Sequence, residues 1–159
     1  MKSTQAQVAS LIRKELKQAF PTITFKIKSS SFAGGNSVDI TWENGPTRDE
    51  VDTIVSKYEY SSFDPMHDFC EITNHRDDIP QVKFVQTQRY LSDDLMNALW
   101  EHLRKIRGEW ENLSHMNEGY NSGGYICYPC AEIYRMICNK NLTNLTLEDI
   151  INEERNKTA

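Results

Sequence analysis

The sequence predicts an α+β fold: an antiparallel sheet laid down in the order α-β-β-α-β-β, packed by helices and followed by a C-terminal helical extension. Three observations carry this. Apolar residues recur at helical spacing over residues 4–20 and again after residue 92. Between these stretches, short segments alternate apolar and polar residues, the period of a half-buried strand. Turn residues such as Pro21 and Asn44-Gly45-Pro46 fall between the segments. The whole of 1–159 reads as a single domain, with 1–90 as its α+β portion and 91–159 as the helical extension.

Each element has a local reason. Thr4-x-x-Gln7 predicts a capping box, and Val8, Leu11, Ile12, Leu16 and Phe20 then form an apolar stripe that Pro21 ends. Ile23, Phe25 and Ile27 alternate with Thr24, Lys26 and Lys28 in a first strand. Val38, Ile40 and Trp42 alternate with Asp39, Thr41 and Glu43 in a second. Residues 29–37 between them, with Gly34-Gly35-Asn36, read as a flexible loop. Thr47-x-x-Glu50 predicts a second capping box, opening a helix with Val51, Ile54, Val55 and Tyr58 on one face. A loop over 60–65 and strands over 69–73 and 82–87 complete the sheet. Ser92 caps a long helix bearing Leu95, Met96, Leu99, Trp100, Leu103, Ile106 and Trp110. Residues 112–124 read as a mobile loop. A helix over 129–139 and a short one from Thr146 follow, with a frayed tail after Glu153.

Composition bounds the function classes. The 159 residues carry 23 acidic and 18 basic side chains, a net charge of −5, which argues against a general nucleic-acid binder with a basic face. No stretch is apolar enough to span a membrane, and the first residues have no apolar run of a secretory signal. A cytoplasmic protein is therefore expected, with its Asn-x-Ser/Thr sites (Asn112, Asn141, Asn144) unglycosylated. Four cysteines are too few and too unevenly spaced for a disulfide scaffold, which leaves thiols, metal ligands or redox groups.

Cys127-Tyr128-Pro129-Cys130 is the sharpest local motif, since two thiolates at that spacing grip one metal or close a small ring. A thioredoxin-like site needs further strands after the motif, and the residues that follow Cys130 read as helical. A structural zinc needs two more ligands, and His67 and Cys70 offer them at H-x-x-C spacing; His115 and Cys138 are further possible members. The simpler reading makes all four cysteines small core residues. Asp39, Glu43, Asp68, Glu71 and Lys83 form a nuclease set only by force, and loop acids such as Asp64, Asp77 and Asp78 are ordinary turn-formers. His75 and His102 read as solvated or partner-bonded side chains. No phosphate-binding glycine motif and no G-x-S-x-G occur. The strand and loop residues Lys26, Lys28, Ser30, Gly34, Gly35 and Asn36 are the candidate binding residues, because backbone amides, a hydroxyl and lysines suit a phosphate or an acidic partner; a plain hairpin connection is the simpler reading. Tyr58, Tyr60, Phe63, Tyr120, Tyr125 and Tyr128 are candidates for a recognition surface or the edge of a core.

The segment from Arg13 through Phe20-Pro21, then Phe25-Lys26-Ile27-Lys28-Ser29-Ser30-Ser31, Gly34-Gly35-Asn36-Ser37-Val38-Asp39-Ile40-Thr41-Trp42, Gly45-Pro46-Thr47 and Phe63-Asp64-x-Met66-x-Asp68 resembles a known family. It is similar, over roughly the first 90 residues, to the large polyvalent protein-associated domain numbered 29. Family domains often have Gly where this chain has Pro65, so the loop after Asp64 departs from the pattern. The resemblance implies a setting in phages and conjugative elements, whose polyvalent proteins help incoming DNA establish itself against host defences. It carries over no catalytic residue. With no catalytic constellation in the sequence, the expected function is that of a non-enzymatic accessory protein binding a host protein, of an anti-restriction or anti-CRISPR type. The alternatives are a nucleic-acid-binding accessory factor using Lys26, Lys28 and the Gly34-Gly35 loop with Arg13, Lys14 and Lys17, with or without structural zinc, and a small metal-dependent enzyme.

Overall fold

A chain that alternates amphipathic helices and strands must bury each apolar face against another element. The computed structural model, which describes residues 3–64, 66 and 69–158, shows how this one does so. The chain forms two compact units, divided between Tyr90 and Leu91.

In the first unit, α1 (Thr4–Ala19) buries Val8, Ala9, Ile12 and Leu16. The expected box at Thr4 is not the cap. Ser3 is the cap residue, and it acts through its carbonyl, which accepts from Ala6 and Gln7, not through its side chain. Strand β1 (Lys26–Phe32) pairs antiparallel with β2 (Gly35–Glu43), placing Lys28 opposite Asp39 and Phe32 opposite Gly35. The loop expected over 29–37 is thus strand almost throughout, closed by Ala33 and Gly34 alone. Asn44 and Gly45 then turn the chain with φ of 52° and 62°, the left-handed region that asparagine and glycine tolerate best. Carbonyls of this turn accept from Arg89 Nε and Nη2, and the Pro46 carbonyl accepts from Trp42 Nε1.

Helix α2 (Arg48–Val55) opens on the expected capping box: Glu50 N–H donates to Thr47 Oγ1, and Thr47 N–H donates to Glu50 Oε2 at 2.7 Å. Thr47→Ala removes the hydroxyl that accepts from Glu50 N–H, while the backbone N–H of residue 47 remains, and is expected to lower stability by about 1 kcal/mol, readable as a shifted urea midpoint at unchanged slope. After a short 3-10 turn (Ser56–Tyr58), β3 (Ser61–Asp64) and β4 (Phe69–Ile72) make a separate hairpin, where a loop and a strand of the main sheet were expected. β5 (Phe84–Tyr90) then joins β2 in parallel. The α+β class and the order of elements hold, but the sheet is mixed, β1-β2-β5. The reason is the crossover: α2 and the hairpin carry the chain back to the start of the sheet, so β5 enters in the direction of β2.

Alternation along the paired strands gives the sheet two unlike faces. Val38, Ile40 and Trp42, with Val85 beside them, pack against α1 and α2 around a core that includes Val51, Val55, Tyr58 and Val82. The Tyr58 hydroxyl donates to Glu15 on α1, and burial together with that carboxylate pushes the phenol well above its usual range. Below the same face Thr87 donates to Asp52 at 2.5 Å and accepts from Arg48. Burial raises the Glu59 carboxyl, although the Val85 N–H it accepts opposes the rise.

The second unit has its own core of Leu99, Trp100, Leu103, Trp110, Ile133, Ile137 and Ile150. α3 (Asp93–Leu103) is capped by Ser92 as expected, but it ends at Leu103, and Trp110 lies on a separate 3-10 turn (Gly108–Trp110). Within the stretch expected as loop, β6 (Tyr120–Ser122) begins, and it pairs with β7 (Tyr125–Cys127) through left-handed Gly123 and Gly124. α4 (Pro129–Ile137) has proline in its first turn, where the missing N–H costs nothing. α5 (Leu147–Thr158) continues past the expected frayed end because Ile150, Ile151 and Glu154 are all buried. Among the described residues no helix is long and apolar enough to cross a membrane.

Candidate interaction face

The face of the mixed sheet opposite α1 and α2 is built by alternate residues of its strands. The register places Lys26, Lys28, Ser30 and Phe32 of β1 beside Thr41, Asp39, Ser37 and Gly35 of β2. Glu43 continues the row, and Phe84, Gln86, Gln88 and Tyr90 of β5 complete the surface. Lys26, Lys28, Glu43, Gln86, Gln88 and Tyr90 are exposed. Among the described residues, the side chains of Lys26, Lys28, Asp39, Thr41, Glu43, Gln86 and Gln88 make no hydrogen bond or ion pair with the rest of the chain.

Aromatic groups stand at both ends of this polar field. At the hairpin end Phe32 stacks on Phe84, ring centres 6.3 Å apart and nearly parallel, yet Phe32 remains 48% exposed. Beneath them the hydroxyls of Ser30 and Ser37 bond at 2.7 Å. At the far end Tyr90, 49% exposed, borders a shallow cavity of about 300 Å³ lined also by Thr24, Lys26, Thr41, Trp42 and Glu43.

The candidate binding residues divide. Lys26, Lys28, Ser30 and Gly35 share this face. Gly34 lies in the turn, and Asn36 points to the other side by alternation. Both are engaged by Lys83: its Nζ donates to the Gly34 carbonyl at 2.9 Å, and its backbone N–H donates to Asn36 Oδ1 at 2.9 Å. A Cβ at Gly35, where φ is 146°, would stand 2.7 Å from Lys83 Cδ. The hairpin tip is therefore tied to the start of β5 and is not the free loop its composition suggests. Arg13 and Lys17 of α1 are engaged by backbone carbonyls. Arg13 Nη2 donates to the Ile27 carbonyl, and Lys17 Nζ donates to the Pro21 carbonyl.

A match to a family model places these strands in a known domain: the model described as large polyvalent protein associated domain 29 covers residues 3–98, more than half of the chain. The chain belongs to that family. Membership associates it with the large polyvalent proteins of phages and mobile elements. No curated protein and no solved structure matches the chain. The domain-29 match takes in the whole mixed sheet and ends within α3.

None of the strands that build the face carries a cysteine. Cys127 ends β7, opposite Tyr120, and Cys130 is in the first turn of α4, its N–H donating to the Met116 carbonyl. Cys70 lies on β4 in the first unit, and His67 lies outside the described residues. Cys70, Cys127, Cys130 and Cys138 are free thiols, and among the described residues no three His, Cys, Asp or Glu groups gather as a metal would need. Asp39 and Glu43 face outward on the sheet while Glu71 is on the β3–β4 hairpin; Asp68 lies outside the described residues.

Sequence reasoning did not pick out Phe84, Gln86, Gln88 and Tyr90. Their signal was present as the alternation with Val85, Thr87 and Arg89, and it became readable only once β5 was placed beside β2. It also missed Arg107, half-buried, which bonds Glu132 at 3.0 Å and Glu154 at 3.3 Å. Those partners lie far along the chain, and no local pattern joins them.

Proposed function

We propose that this chain is a non-enzymatic accessory protein of a phage or mobile element, and that it binds a host protein in the host cytoplasm through the open face of its mixed sheet. Its target on this reading belongs to a defence system of the restriction or CRISPR type. Family membership supports the setting. The open face supports the mode of action, and one observation carries it: a row of unengaged polar side chains framed by exposed aromatic rings. Aromatic residues at the edge of an adaptable polar field are what protein interfaces favour. The field is also balanced in charge, Lys26 and Lys28 against Asp39 and Glu43, whereas a nucleic-acid backbone calls for a basic surface.

The test is a pull-down of the tagged chain from host lysate, with and without nuclease. The expected result is a stoichiometric host protein that persists after nuclease. Recovery of nucleic acid alone, or of proteins lost on nuclease treatment, contradicts the reading and favours the nucleic-acid factor.

A further inference from the structure

The outer edge of β1 is open beyond Ile27, whose carbonyl Arg13 occupies. In an antiparallel pair, alternate residues turn their N–H and C=O groups toward the partner strand and the rest turn them away. Phe32 and Gly35 close the two-residue turn as a bonded pair, so Ile27, Ser29 and Ser31, of the opposite parity, are the outward set; the Ile27 carbonyl accepts from Arg13 Nη2. Among the described residues nothing bonds the outward groups of Ser29 and Ser31. Ser29, Ser30, Ser31 and Phe32 are all exposed, so no described segment shields that edge. The opposite edge of the sheet is blunted, because Val85 N–H donates to Glu59 Oε1 and Ser61 Oγ donates to the Lys83 carbonyl.

We infer that β1 is a docking edge, and that it takes an extended segment of the partner protein as a fourth strand, with acidic residues at alternate positions. Backbone pairing supplies the attachment, and alternate side chains supply the choice. On the open face an added strand runs beside Lys26 and Lys28, which have no anionic partner among the described residues and reject basic segments. On the other side it meets the partly buried Ile27, which suits an apolar residue. Acid and apolar residues in alternation therefore fit both rims. This rests on the protein-binding reading above and names the chemistry of the partner.

The probe is the peptide acetyl-Glu-Val-Glu-Val-Glu-Val-amide, added to the full isotope-labelled chain while amide exchange is followed by NMR. Exchange at Ser29 and Ser31 is expected to slow by about tenfold or more at saturation, since these amides gain a partner only when a strand is added. A peptide with Lys in place of Glu is expected to give no protection. No slowing at Ser29 and Ser31, or equal slowing by the Lys peptide, overturns the inference. So does protection that appears on concentrating the chain without peptide, which would mean a second copy pairs there. Ser29→Pro removes an outward N–H that no ladder bond uses, so it leaves the pairing with β2 intact and abolishes the effect. Lys28→Glu, which leaves the backbone unchanged, abolishes it too. In the lysate pull-down, a partner kept by Ser29→Pro but lost by charge reversal at Asp39 overturns the edge and leaves the face. A partner kept by both variants overturns both readings, and loss with Ser29→Pro in a folded chain supports the edge.

Discussion

Trp110→Ala is expected to be the most damaging single substitution in the second unit. Trp110 is fully buried. Its ring lies 5.9 Å from that of Trp100 and meets Tyr120 edge-on at 6.4 Å, while the Arg107 guanidinium sits 4.8 Å from its centre. Truncating an indole in such a site removes its transfer free energy and leaves a cavity, a loss of about 3–5 kcal/mol. Set against a total stability of about 5–15 kcal/mol for a domain, this brings the unit near its unfolding threshold. Urea unfolding followed by far-UV circular dichroism measures the loss; Trp110→Phe, which keeps an aromatic ring, is expected to cost much less. A loss below about 1 kcal/mol for Trp110→Ala would mean the indole is not closely packed.

Arg107→Ala is expected to cost roughly 3 kcal/mol, because it leaves carboxylates on two helices without their shared cation. The guanidinium joins Glu132 on α4 to Glu154 on α5, and Tyr120 donates to the same Glu132. Glu154 is 5% exposed, so the solvent offers it little compensation. Burial raises its carboxyl, but Lys157 and Arg107 more than reverse this and hold it below the usual carboxylate range. A depressed folded-state value gives stability above the unfolded value and loses it as pH falls through the folded one. The deficit of Arg107→Ala is therefore expected to be largest near neutrality and to narrow as acidification takes Glu154 through its lowered folded-state value in wild type. Urea midpoints of both proteins across that range check it. A constant deficit at all pH values would assign the loss to packing on Trp110 instead of charge.

What the sequence made legible is what depends on neighbours along the chain. The stripe of α1, the Thr47 capping box, the alternation of β2 and the Ser92 cap are local signals, and each produced its element. What it misplaced depends on distant partners. Residues 29–31 are polar and small, so they read as loop. They are strand because β2 offers a matching ladder and Lys83, far along the chain, clasps the turn. Val82 has strand character but forms only an isolated bridge to Glu59, and the third strand of the sheet starts at Phe84. The parallel sense of β5 follows from the path of the crossover, which no residue pattern states. The same holds for the candidate face: Lys26 and Lys28 could be read from the sequence as candidate binding residues, but the acids beside them and the aromatic frame depend on register.

If the open sheet face holds a host protein, capture of that protein by the full chain depends on the side chains of the face. Lys28→Glu and Asp39→Lys each upset the charge pattern of the face, and Phe32→Ser removes one of its exposed rings. With folding verified by circular dichroism, all three are expected to lose the nuclease-resistant partner that wild type retains. Undiminished capture by all three would contradict the account and place the binding surface elsewhere on the chain.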